Sequence, residues 1–180
     1  MSEVALDYQI RPITVDEYHR MGEAGLFHPG ERVELLDGES IAMAPIGHTH
    51  GFRVRSLAQT FIERFGKRSI VDIGGNVILG DRSEPQPDLM LLEAKPSRYR
   101  DAVPRGEDVL LLVEVSDTSP RNDRGRKLDV YALAGIREVW IVRHRDSGDR
   151  FQSQGCRTNR PSVDLSKRRC PHAVGRGTSV

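Results

Sequence analysis

The sequence predicts an α/β domain, a mixed central sheet flanked by helices and preceded by a helix and a β-hairpin. Three observations lead there. Apolar runs with strand character alternate with two segments of helical periodicity. One run, Val109–Val115, is apolar on both faces, as a central strand covered from both sides must be. The sequence Asp37-Gly38, between two short apolar runs, is a strong hairpin signal.

Taken in order, Thr14-Val15-Asp16-Glu17 opens a short helix, with Thr14 as N-cap and Glu17 closing a capping box. Arg32–Leu36 and Ser40–Met43 form the hairpin arms. From about Gly51 to Phe65, residues Val54, Leu57, Ala58, Phe61, Ile62 and Phe65 recur at helical spacing and are expected to face inward. Ser69 to Leu79 reads as one strand, bent or bulged at Gly74-Gly75. Pro87 starts a short apolar strand headed by Asp88, and Lys95 to Asp108 is a loop. In Val109–Ser116, alternation puts Leu110, Leu112 and Glu114 on one face and Leu111, Val113 and Val115 on the other. Ser119-Pro120 marks a helix start, Gly135 its end, and Glu138–Val142 the last strand.

At 180 residues the chain fits one domain of ordinary size. No stretch reaches the roughly 18–20 apolar residues of a membrane span, and Met1–Ile10 lacks a signal-peptide run. Two cysteines, Cys156 and Cys170, make no disulfide framework, so a cytoplasmic location is expected. The formal charge of +1 hides a split. Through Val142 there are 18 Lys+Arg against 23 Asp+Glu, a net of −5; from Arg143 onward there are 9 against 3, a net of +6. The last stretch has few aliphatics and no apolar period. Residues 1–142 are therefore expected to form the domain, and 143–180 a basic, poorly ordered tail whose deletion leaves the melting temperature nearly unchanged. The abruptness of the change suggests a translated frameshift or a foreign tail.

Glu114 is the most informative residue. A carboxylate on a strand this apolar costs several kcal/mol unless a metal or buried cation neutralises it, or unless it lies at the wet end of the strand. Asp88 heads a neighbouring strand, where a Pro-Asp pair is by itself an ordinary turn element. Lys127 shares a helix side with Asp123 and Tyr131, a position that solvated lysines also occupy. Together, two carboxylates on adjacent strands can hold a hard divalent cation, and a nearby ammonium can orient a water or offset charge on a phosphate.

These residues match a known pattern. Val33-Glu34-Leu35-Leu36-Asp37-Gly38-Glu39, Pro87-Asp88, Glu114-Val115-Ser116, Lys127 with Tyr131, and Gly135–Val142 follow in an order and spacing that resembles the Uma-type family of bacterial restriction endonucleases, within the PD-(D/E)XK nuclease superfamily. The resemblance spans roughly Thr14 to Val142. It implies a restriction-endonuclease-like core (αβββαβ) and Mg²⁺-dependent hydrolysis of DNA, with Mn²⁺ as a substitute. It implies that Asp88 and Glu114, with the Val115 carbonyl, hold the metal, that Lys127 is the catalytic lysine displaced onto a helix, and that Glu34 is an additional acid. His50 and Tyr131 are accessory candidates. A homodimer is compatible with this pattern; no organic cofactor and no membrane partner are expected. Lys127→Ala is expected to abolish cleavage with the fold intact, and Glu34→Gln to weaken it less.

Two other readings remain open from sequence: a nuclease fold that no longer cuts and binds nucleic acid, and a protein-interaction domain favoured by the acidic core. The remaining motifs are weak. His48-Thr49-His50 reads as a loop leading into a helix, not a zinc site. Cys156 and Cys170 lack a ligand pattern, Gly74-Gly75 is not a phosphate loop, and Lys167-Arg168-Arg169 supports charge-driven contact at most.

Overall fold

The computed structural model describes residues 10–116, 121–143 and 152–156. Helix α1, Val15–Glu23, begins at the expected capping box: the Glu17 N–H donates to Thr14 Oγ1 at 3.2 Å, and the Thr14 N–H donates to Glu17 Oε2 at 2.8 Å. Strands β1 (Val33–Leu36) and β2 (Glu39–Ala42) make a separate two-stranded sheet. Their turn residues Asp37 and Gly38 take φ of +50° and +80°, the pair of left-handed positions that a two-residue hairpin needs. A Cβ at Gly38 would lie 2.3 Å from Pro12 Cβ, so no other residue fits there.

The main sheet has the order β3-β4-β5-β6-β7, with β3 Ser69–Ile73, β4 Leu89–Glu93, β5 Val109–Ser116, β6 Val139–Arg143 and β7 Gln152–Cys156. All neighbours are antiparallel except β5 and β6, which run parallel and are joined by helix α3, Arg121–Leu133. Such a connection needs a crossover, and α3 supplies it. Helix α2, His48–Phe65, covers one face, burying Val54, Leu57, Ala58 and Phe61 against Leu111, Val113 and Val115. The other face carries α3 and the hairpin, with Val130, Tyr131 and Leu36 packed on Met90, Leu92 and Leu112.

Several expectations are corrected. Helix α2 starts at His48, so the two histidines lie in its first turn and not in a loop. Ile62 and Phe65 are 48% and 37% exposed, because the sheet is covered by a narrower stripe of α2 than the periodicity suggests. The strand after α2 stops at Ile73: Gly74, at φ +66°, turns the chain away instead of bending a longer strand. A bulge between Leu91 and Leu92 pairs them with Leu111 and Val109. Leu110 is therefore the extra residue, 40% exposed, and Val109 replaces it on the face of Leu112.

The sheet also runs past Val142. Strand β7 pairs with β6 over five positions, from Val139↔Cys156 to Arg143↔Gln152. A boundary drawn at Val142 from composition misses it, because backbone hydrogen bonding on a sheet edge needs no aliphatic side chains. The Ser119-Pro120 helix start, residues 144–151 and residues 157–180 lie outside the described residues.

Candidate active site

Five segments, the entry to β4, β5, α3, β1 and the start of α2, bring the predicted site residues together. The register Leu89↔Val113 places Asp88, one step earlier, opposite Glu114, and the Val115 N–H donates to Asp88 Oδ2 at 2.7 Å. On α3, Lys127 and Tyr131 stand one turn apart and so present the same side. Tyr131 is fully buried, and its hydroxyl donates to Glu114 Oε1 at 2.5 Å. Lys127 Nζ lies 3.4 Å from Glu114 Oε1 and 2.9 Å from Glu34 Oε2. Glu34 arrives on β1, which packs against α3 and brings a third carboxylate from outside the main sheet. His50, in the first turn of α2, reaches Asp88 Oδ1 at 2.8 Å.

The charges in this site interact strongly. Burial pushes Glu114 up to about 7; Asp88 and Glu34 add to that rise, while Lys127 and Tyr131 oppose it. Burial pulls Lys127 down, but Glu114 and Glu34 outweigh it and hold the ammonium above the ordinary lysine range. Burial and the neighbouring carboxylates place the Tyr131 hydroxyl well above an ordinary phenol, so it stays a donor.

Four residues around the site went unnoticed in the sequence: Gln86, Glu84, His19 and Asn76. The Gln86 N–H donates to Glu34 Oε2 at 3.2 Å, and its side-chain amide donates to the Val33 carbonyl at 3.2 Å. Glu84, 1% exposed, meets His19 Nε2 at 2.5 Å and accepts from Asn76 Nδ2 at 2.8 Å. Its backbone also pairs with Leu35, the neighbour of Glu34, with the Glu84 N–H donating at 2.8 Å. Glu84-Pro85-Gln86-Pro87-Asp88 is thus one stiff arm that fixes Glu34 at its middle and ends on Asp88. Its two prolines were the available signal.

A divalent cation fits this donor set by charge. Glu34, Asp88 and Glu114 face a single ammonium, and Glu34 and Glu114 are mostly enclosed, so a further positive charge would relieve their repulsion. Among the described residues no group of three or more His, Cys, Asp or Glu side chains is placed to hold a metal ion together, so a cation here would have at most two such side chains as ligands. At Val115 the contact seen is its N–H on Asp88, which fixes that carboxylate from the backbone.

Residues 15–164 match the family described as "Uma2: Putative restriction endonuclease". The chain belongs to the Uma2 family. The Uma2 match runs beyond Val142, where the sequence resemblance stopped, and takes in β7. A crystal structure titled as a "putative nuclease" of the family DUF820, from Anabaena variabilis ATCC 29413, has a TM-score of 0.55 to this Uma2 chain at 12% identity, covering 80% of it and 84% of the other chain. The shared architecture is the restriction-endonuclease-like α/β fold. No curated protein matches the sequence. No helix among the described residues is long and apolar enough to cross a membrane.

Proposed function

We propose that this Uma2 protein is a metal-dependent endonuclease that hydrolyses phosphodiester bonds in DNA. The observation that carries the reading is the Lys127 ammonium set between Glu34 Oε2 at 2.9 Å and Glu114 Oε1 at 3.4 Å, with Asp88 opposite Glu114. Asp88 and Glu114 would hold Mg²⁺, or Mn²⁺ in its place, with water completing the shell and the Val115 carbonyl as a further oxygen donor. The bound ion would supply Lewis-acid polarisation of the phosphate and a more acidic water.

The remaining work falls to the chain's own groups. Lys127, held by two carboxylates, offers its ammonium protons to a water or a phosphate oxygen and offsets the charge that builds there. Glu34 keeps Lys127 aimed at the site and is itself pinned by the Gln86 N–H. Tyr131 and His50 orient Glu114 and Asp88, as second partners of ligating carboxylates do.

The test is incubation of supercoiled plasmid with the purified protein in Mg²⁺ and in EDTA, beside Glu114→Ala. Nicked and linear products that need Mg²⁺ and vanish in the variant are expected. Intact plasmid in the presence of folded, Mg²⁺-loaded protein would overturn the proposal.

A further inference from the structure

Beside the edge strand β3, on the sheet face that carries Asp88 and Glu114, a cleft of about 570 Å³ opens between Ile70 and Asp72 on one side and the loop Arg98–Pro104 on the other. Asp72 pairs with Met90 and the Gly74 N–H donates to the Asp88 carbonyl at 3.1 Å, so β3 ties the cleft to the end of β4 that Asp88 heads.

The loop is built to present charge. Arg98 and Tyr99 are consecutive non-glycine residues at φ +51° and +57°, a conformation held only when the surroundings impose it. Tyr99 imposes it here: its ring packs on the core beside Ile70, its hydroxyl donates to the Glu93 carbonyl at 2.9 Å, and Lys95 Nζ sits 5.1 Å from its ring centre. With Tyr99 turned inward, Arg98 and Arg100 flank it and line the cleft. Lys95 is taken by Asp108, but neither arginine has a side-chain hydrogen bond or ion pair with any described residue. Two exposed guanidiniums with no protein partner among the described residues can turn their donors to a bound anion, and a phosphate matches their geometry.

The rest of the cleft suits a base. Ile70 and Val103, both partly exposed, give it apolar walls, while the Asp72 carboxylate and the Asn76 amide oxygen supply polar groups that can reach a base edge.

We propose that this cleft binds one nucleotide, its phosphate on Arg98 and Arg100 and its base against the apolar wall with Asp72 and Asn76. Its role in catalysis, holding the nucleotide next to the scissile phosphate, rests on the nuclease reading above; its affinity for a nucleotide does not.

The experiment measures binding of a 5′-fluorescein single-stranded 12-mer to the full chain in EDTA, where no cleavage can occur, across a salt series. Arg98→Gln/Arg100→Gln keeps the loop's backbone type and removes both charges. It should lower affinity about tenfold or more and reduce the salt slope by about 0.7, the value for one lost single-strand phosphate contact, with the melting temperature unchanged. Equal affinity and slope in the double variant would overturn the proposal, whether or not plasmid is cut. Loss of binding in a protein that never cuts plasmid would instead sink the nuclease reading and leave the cleft standing. Competition with dCMP and dAMP separates the sources: displacement of the 12-mer by a mononucleotide at millimolar concentration supports a free-nucleotide site, and displacement only by longer strands supports a strand site. With wild-type binding established, Asp72→Asn should change the ranking of dA, dC, dG and dT 12-mers; an unchanged ranking would remove the base from the proposal.

Discussion

Lys127 Nζ lies 2.9 Å from Glu34 Oε2, joining a residue of α3 to one of the hairpin strand β1 across the top of the main sheet. The same nitrogen is 3.4 Å from Glu114 Oε1, and the Lys127 side chain is only 16% exposed. A helix-edge lysine was expected to contribute little to the fold. This one sits between two enclosed carboxylates, so site and fold share it.

Lys127→Ala should therefore do more than stop cleavage. Without metal it leaves Glu34 and Glu114 buried with no counter-charge, a loss of about 3–5 kcal/mol for breaking such a pair. Urea denaturation in EDTA should show that loss, and Mg²⁺ should recover part of it. An unchanged midpoint in EDTA would mean that Lys127 is not the counter-charge of this site.

Glu34→Gln keeps an acceptor for the Gln86 N–H but loses the charge that holds Lys127. Plasmid cleavage should fall by about 10–100-fold, the usual scale for a partner one step removed from a ligand. Complete loss would place Glu34 on the metal itself.

The raised Glu114 carboxyl links pH to stability with a definite sign. Its value in the folded, metal-free protein, about 7, exceeds the ordinary 4.5, so the folded state binds the proton more tightly. That contribution is fully present below about 4.5 and disappears as pH rises through about 7. The melting temperature in EDTA should fall over this window, and Glu114→Gln should flatten the fall. Mg²⁺ affinity should run the other way, rising through about pH 7 as the ligand loses its proton. A calorimetric titration at pH 6 and pH 8 checks this through the proton released on binding.

Tyr131→Phe removes a buried donor 2.5 Å from Glu114 Oε1. A hydrogen bond to a charged group contributes about 1.5–3 kcal/mol, so the variant should be less stable by a value in that range at pH 8. Because Tyr131 opposes the rise of Glu114, its loss should also move the pH midpoint of Mg²⁺ binding upward. A midpoint that stays in place would show that the hydroxyl does not reach the ionised carboxylate.

Deleting residues 144–180 tests the end of the sheet. It removes β7 and leaves β6, with Ile141 and Val142 buried, as an unpaired edge. At about 0.5–1.5 kcal/mol per hydrogen bond, even two lost bonds cost about 2 kcal/mol, or roughly 4–8 °C in a chain of this size. The composition-based expectation was almost no change. A melting temperature within a degree of the full chain would restore it.

Local rules carried much of this protein in its sequence. The capping box at Thr14, the hairpin at Asp37-Gly38 and the doubly apolar strand β5 each depend on neighbours a few residues away, and each forms where those neighbours predict. Tertiary structure decided what no local pattern contains. A bulge opposite Leu91-Leu92 moved Leu110 out and Val109 in, because register depends on the partner strand. A polar segment became β7 because the edge of β6 offered it backbone bonds. The site itself is of this second kind: Glu34, Asp88, Glu114 and Lys127 come from four separate elements, and their mutual charge, which raises Glu114 and holds Lys127, exists only once packing has removed the water between them.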